Sequence, residues 1–227
     1  MTERVEALAE YNPMLGMRGV RLGIAIPEIY DMQASAIFEA MVAVQKKGID
    51  IRVEIMIPLI SAVREVELMK ARIDGVANAV RTKSQAEFDY VLGVMVETPR
   101  AALRSEDIAA HAAFLSFGTN DLTQMTYGLS RDDAGRFMSS YVQQGVYAED
   151  PFHTLDIEGV GELISIGAER GRLGRKDVVL SLCGEHGGDR SAIAFCRAQE
   201  FDYISCSPFR VPVARLTAAQ LALADRM

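Results

Sequence analysis

Two acidic residues and one thiol stand where short apolar runs end. VMVETPR places Glu97 directly after three apolar residues, and SFGTNDL places Gly118, Thr119, Asn120 and Asp121 at a strand-to-helix turn. LCGEHGGD places Cys183 ahead of Gly184, Gly187 and Gly188. Glu97 and Asp121 make a reasonable pair for Mg²⁺, which prefers oxygen ligands, takes one or two carboxylates and completes its octahedron with water and substrate oxygens. The Gly118–Thr119–Asn120 turn offers backbone N–H groups at a helix N-terminus, which suits a carboxylate or phosphate. Cys183 is a candidate reactive thiol. Arg18 in NPMLGMRG and Arg131 in GLSRDD are candidate anion clamps.

Each residue also has a plainer reading. Asp121 can simply N-cap the next helix while Glu97 pairs with Arg100. Cys183 can be a buried, inert thiol, and either arginine a solvated charge. His186, three residues after Cys183, invites a zinc site, but no second Cys/His pair follows at finger spacing. Cys196 on a helical face and Cys206 within a strand read as core. His111 and His153 read as surface or structural histidines, and Met41, Met56, Met69 and Met95 as core filler.

The elements that must position these groups are visible as five apolar runs. They are VEIMIPLI from Val53, YVLGVMV from Tyr90, FLSF from Phe114, VVLSLC from Val178 and YISC from Tyr203. Continuous rather than alternating hydrophobicity predicts strands buried on both faces, as in a parallel sheet. Helical spacing predicts helices over 27–47 (closed by Gly48), 63–82, 99–112, 157–171, 190–199 and 211–224. Pro27 and Pro99 sit where a first helical turn tolerates proline. Strand-then-helix alternation implies a parallel sheet with right-handed crossovers, whose strand ends collect ligand groups on one face. A closed (β/α)₈ barrel needs eight strands. Five fit either a smaller doubly wound sheet or the latter part of a barrel. The connection GLSRDDAGRFMSSYVQQGVYAEDPFHTLD is long enough to predict a functional or partly disordered segment.

Composition excludes some partners. A net charge of −7 over 227 residues argues against nucleic acid and anionic membrane, which want a basic face. No run reaches the roughly 18 apolar residues of a membrane span. The opening MTERVEALAEYNP is charged and helix-like, unlike a secretory signal. Three cysteines without CxxC spacing argue against a disulfide framework and for a reduced, cytoplasmic setting.

Taken in order, NPMLGMRGVRLGI, EIMIPLI, VMVETPRAAL, SFGTNDLTQMTYGLSRDD, LCGEHGGD and SCSPFRVPVARLTAAQ resemble motifs of the carboxyl-terminal domain of the phosphoenolpyruvate-utilising enzymes. The resemblance runs from Asn12 to Gln220. GEHGGD and SPFRVPVARL look more like the pyruvate phosphate dikinases than like phosphoenolpyruvate synthase or enzyme I of the sugar phosphotransferase system. The resemblance implies an α/β fold, a partial (β/α)₈ TIM barrel with its first strands missing. It would form a single domain over 1–227, incomplete on its N-terminal side.

The resemblance further implies binding of pyruvate or phosphoenolpyruvate with Mg²⁺, and phosphoryl exchange between a phosphohistidine and the pyruvate enolate. Carried over by position, Glu97 and Asp121 hold the metal. Gly118, Thr119, Asn120 and Asp121 contact the substrate, and Arg18 and Arg131 neutralise its phosphate or carboxylate. Cys183 moves the proton at the methyl carbon. A homodimer is implied, with ATP-grasp and phosphohistidine domains as absent partners. Two further substrate-binding arginines would lie on the missing strands, so the chain alone is not expected to turn over. The alternatives are a catalytically silent binding module descended from such an enzyme, or a fragment of phosphoenolpyruvate synthase or of enzyme I of the sugar phosphotransferase system. The chain departs from the family pattern at Met17, usually aromatic or His, and at Thr98, more often Val.

Overall fold

The computed structural model describes residues 4, 6, 8–10 and 12–224. Five strands fall on the five apolar runs: β1 (Val53–Ile57), β2 (Tyr90–Val96), β3 (Phe114–Gly118), β4 (Val179–Cys183) and β5 (Tyr203–Ile204). They form one parallel sheet in sequential order, and among the described residues β1 and β5 are each paired on one side only. Helices α1 (Val20–Ala25) and α2 (Pro27–Gln45) precede β1, and α3 (Val63–Ser84) joins β1 to β2. Between β2 and β3 lie α4 (Pro99–Leu103) and α5 (Ser105–Ala109). Between β3 and β4 lie α6 (Thr119–Tyr127), α7 (Arg131–Ala134), α8 (Met138–Gln143) and α9 (Glu162–Gly174). Finally, α10 (Arg190–Ala198) and α11 (Val211–Ala224) flank β5.

Strand pleating sends alternate side chains to opposite faces. One face carries Leu115, Phe117, Leu180 and Leu182, all fully buried beneath α9. That helix lies close because Gly167 and Gly171 face the sheet. A methyl at Gly167 would come within 2.7 Å of Phe117 Cε1, and one at Gly171 within 2.7 Å of Leu115 Cδ1. Either clash would lift α9 and open a void that close-packed interiors do not tolerate. The other face carries Ser116 and Ser181, both buried, and ends in Gly118 and Cys183.

Several expectations are corrected. Burial on both faces holds for β3 but not at the edges, where Glu54 and Tyr203 are exposed. Met56 is exposed rather than core filler, on a strand that among the described residues pairs only with β2. The helix expected over 99–112 breaks at Arg104 (φ −114°, ψ 19°) into α4 and α5. The helix expected from 157 opens as a π-helical turn, Ile157–Gly161, whose N–H groups at Gly159 and Val160 donate to the Asp156 carboxylate. Cys206 lies past the end of β5 and is half-buried, outside both strand and core.

The long connection is ordered. Ala134, Met138 and Phe152 form a second, small core with Leu129, Phe137 and Tyr147 against it. Tyr147 packs edge-on to Tyr127 at 5.2 Å, joining this lobe to α6. Sequence hydrophobicity alone hides such a lobe, since its few apolar residues are scattered along a polar stretch.

Candidate functional site

Three strand ends build the site. Gly118 on β3 pairs with Cys183 on β4, and Val96 on β2 pairs with Phe117. One more step along that register sets Glu97 beside Gly118, on the sheet face opposite α9. Gly118 must lack a side chain here: a methyl would sit 2.9 Å from Glu97 Cβ and 3.0 Å from its Oε2. Glu97, Gly118 and Cys183 therefore form one transverse row across the carboxyl ends of the central strands. The first turn of α6 then carries Thr119, Asn120 and Asp121 over that row.

Glu97 and Asp121 are both buried, and their carboxyl groups meet. Burial pushes the Glu97 carboxyl up to about 7, and the Asp121 charge and the hydrogen bond between the two add to the rise. The Leu59 N–H, donating to Glu97 Oε1 at 2.6 Å, and the Arg18 guanidinium pull the other way. Arg18 lies 3.6 Å from Asp121 and also donates to the Met14 carbonyl at 3.2 Å. The plainer readings of the two acids fail: Arg100 donates to the Ser61 carbonyl, and Asp121 lies inside the first turn of α6, whose N-cap is Gly118. Thr98 caps α4 by accepting from Ala101 N–H. Thr98 also donates to the Ile60 carbonyl at 2.9 Å, a bond that valine could not make.

The N-terminal arm reaches the site through β1. Val20 N–H donates to the Pro58 carbonyl at 3.0 Å, and Gly19 (φ 55°) packs where a methyl would meet Leu59 Cβ at 2.8 Å. Leu59 itself holds a left-handed conformation (φ 59°) that aims its N–H at Glu97. Positive φ is costly for leucine and marks a position over-determined by its surroundings.

On the β4 side the contacts are neutral. Thr119 Oγ1 lies 3.2 Å from the Cys183 carbonyl, and Asn120 Oδ1 accepts from Glu185 N–H at 3.1 Å. Gly184 (φ 126°) occupies backbone space that only glycine enters readily. The Cys183 thiol is raised by burial and, more weakly, by the Glu97 charge, against the pull of the Gly184 N–H. Cys196 is buried and pushed up to about 12, as expected of a core thiol. Among the described residues all three cysteines are free.

Arg131 is not brought to the carboxylate pair. Its guanidinium lies 3.4 Å from Glu185, on the rim. Its backbone N–H donates to Gln124 Oε1 at 2.9 Å, and Gln124 Nε2 donates to Asp121 Oδ1 at 3.3 Å, so the link is indirect. Sequence reasoning missed Gln124 and Leu59. Gln124 sits one helical turn after Asp121 and was findable by that spacing; the backbone angle at Leu59 leaves no mark in the sequence. His111 and His153 are peripheral, each 3.6 Å from a single carboxylate.

The donor set suits a hard divalent ion. Two buried carboxylates in contact, with one cation beside them, match the one or two carboxylates that Mg²⁺ takes from a protein. Among the described residues no group of three or more His, Cys, Asp or Glu gathers to hold a metal, which leaves a closed zinc site without ligands.

Residues 2–223 match the family described as PEP-utilising enzyme, PEP-binding domain. The chain belongs to this family. The PEP-binding domain is 54% identical over all 227 residues to the pyruvate, phosphate dikinase of Rhizobium meliloti (strain 1021), covering 25% of that relative. It is 52% identical over 96% of its length to pyruvate, phosphate dikinase 2 of Zea mays, again covering 25%. To the enzyme of Clostridium symbiosum it is 49% identical over 98% of its length, covering 26%. The domain thus spans about a quarter of the curated relatives it matches. A solved citrate lyase from Burkholderia xenovorans LB400 aligns with 73% of the domain and 48% of that chain, at a TM-score of 0.44 and 21% identity. Among the described residues no helix is long and apolar enough to cross a membrane.

Proposed function

We propose that this domain is the pyruvate/phosphoenolpyruvate half-site of a pyruvate phosphate dikinase, built on the latter five strands of a (β/α)₈ barrel. The observation that carries this reading is the buried Glu97–Asp121 pair, faced by Arg18 and set in one row with Cys183. Two carboxylates in contact, one raised to about 7, make a place where a cation would offset their repulsion. The identities to the dikinases support the assignment of the substrate.

Glu97 and Asp121 would hold Mg²⁺, which when bound supplies the positive charge that stabilises an enolate. The remaining work falls to this chain's own groups. Arg18 balances the carboxylate charge and offers its partly exposed guanidinium to a substrate anion. The Asn120 oxygen already accepts from Glu185, so its amide N–H₂ is what it can offer a substrate oxygen. Because burial raises its thiol, Cys183 holds its proton near neutral pH. It would deliver that proton to the methylene carbon once the phosphoryl group has left phosphoenolpyruvate. In the opposite direction its thiolate would take a proton from the pyruvate methyl. Arg131, on the rim, would meet the phosphoryl group rather than the carboxylate pair. The ATP-dependent reaction would require domains beyond this quarter of the relatives' length.

Calorimetric titration of the chain with oxalate, a planar mimic of the enolate, tests the proposal. Binding that requires Mg²⁺ and is lost in Glu97→Ala supports it. Binding equal with and without Mg²⁺, or unchanged in Glu97→Ala, refutes it.

A further inference from the structure

His186 is fully buried yet carries two engaged ring nitrogens, and the reading above gives it no task. Its Nε2 lies 3.0 Å from the Pro151 carbonyl in the long connection, and its Nδ1 lies 2.8 Å from Thr119 Oγ1 at the start of α6. Thr119 in turn lies 3.2 Å from the Cys183 carbonyl. One imidazole thus joins the turn bearing Asn120 and Asp121, the turn bearing Cys183, and the lobe that precedes α9.

The chemistry of the partners fixes the direction of these bonds. A carbonyl only accepts, so Nε2 carries the hydrogen toward Pro151. Burial lowers the affinity of this ring for a second proton, outweighing the neighbouring Asp189 and Glu185 carboxylates. Nδ1 of the neutral ring is then an acceptor, and Thr119 is its donor. Thr119 has a single hydroxyl hydrogen and two acceptors facing it, so the imidazole competes directly with the Cys183 carbonyl for that hydrogen.

The backbone leaves no room for this joint to drift. Gly187 lies against the Ser205 carbonyl and Gly188 against the Arg210 side chain, each too closely for a methyl. The short helical turn Glu185–Gly188 is therefore wedged between β4 and the segment after β5, with His186 pointing inward.

We propose that His186 is a positioning residue: by accepting from Thr119 it locks the turn that carries Asn120 and Asp121 against the strand end that carries Cys183. The proposal deepens the half-site reading, since it concerns the mutual placement of metal-side and thiol-side groups. It makes no contact with substrate.

Two conservative variants separate the possible roles of the ring. In His186→Asn the amide oxygen falls near the place of Nδ1 and can still accept from Thr119, while the bond to Pro151 is lost. In His186→Gln the amide nitrogen reaches the place of Nε2 and keeps the Pro151 bond, while the Thr119 bond is lost. The first readout is the rate of Cys183 alkylation by iodoacetamide in a Cys206→Ser background, where buried Cys196 is unreactive. We expect the Gln variant to react about tenfold faster, the effect of one hydrogen bond, and the Asn variant to stay within about twofold of the parent. The second readout is the Mg²⁺-dependent affinity for oxalate, with the same order of variants. Alkylation needs no ligand, so a chain that failed to bind oxalate would sink the half-site reading while this test still ran. Retention by Gln and loss in Asn would show that the ring merely anchors the long connection, and would overturn the proposal. So would two variants that both behave as the parent does. If both variants unfold, nitrogen NMR of the parent imidazole decides: a bare Nδ1 with a protonated Nε2 supports the proposal, and the reverse tautomer overturns it.

Discussion

The two sides of this site are held by different physics. On the β1–β2 side, Glu97, Asp121 and Arg18 are set by charge in a buried place, and their balance depends on protons and cations. On the β4 side, Thr119, Asn120, His186 and the Gly184 backbone are set by neutral hydrogen bonds and by glycine-only geometry. The charged side is thus built to respond to what binds, and the neutral side to stay where it is. Removing a group should therefore cost binding on one side and geometry on the other.

The sharpest division is between Glu97→Ala and Cys183→Ala. The first should weaken Mg²⁺-dependent oxalate binding by more than about a hundredfold, beyond the 10–100-fold typical of groups one step removed from a metal. The second should leave that binding within about twofold while removing any proton exchange at the pyruvate methyl in an assembly competent for it, since a thiol that moves a proton contributes little to ground-state affinity. Equal losses from both variants would erase the comparison.

Gly118→Ala strikes the row where the two sides meet. The added methyl must push Glu97, whose Cβ lies 2.9 Å from its ideal position, and loss of oxalate affinity by about tenfold is expected from a misplaced ligand. Thermal melting beside the titration checks that the fold survives.

A smaller effect concerns pH. The folded chain holds the Glu97 proton more tightly than the unfolded chain does, between the ordinary value of 4.5 and about 7. Within that window the native state binds more protons, so stability falls as pH rises and levels off above about 7. Melting temperatures at pH 5 and pH 8 should show this decline, and Glu97→Gln should flatten it. Saturating Mg²⁺ should flatten it too, because a metal ligand must be deprotonated to bind. The smallest expected effect crosses from one side to the other: Glu97→Gln removes a charge that raises the Cys183 thiol, so its alkylation midpoint should move to lower pH.

The sheet was readable because continuous apolar runs leave no other way to bury β2, β3 and β4. Strand ends then located Glu97, Gly118–Asp121 and Cys183, because a parallel sheet puts those ends on one face. What spacing could not reveal came from three-dimensional closure. The left-handed Leu59 packs against Gly19 of the N-terminal arm, a long-range contact that spacing does not show. His186 looked like half a zinc site, and only burial between Thr119 and Pro151 shows its partners. By spacing Arg131 and Arg18 are equivalent clamps, and the fold sets Arg18 beside Asp121 and Arg131 beside Glu185. Met56 and Cys206 read as core by composition, and the open edges of the sheet put them elsewhere.

The central claim is that Glu97 is a carboxylate raised by burial and by Asp121 that gives up its proton to a cation. Carbon NMR of the labelled Glu97 carboxyl tests it directly. The account predicts titration at about 7 without Mg²⁺ and none in that range once Mg²⁺ is added. A carboxyl that titrates near 4.5, or one that titrates identically with and without Mg²⁺, would contradict it.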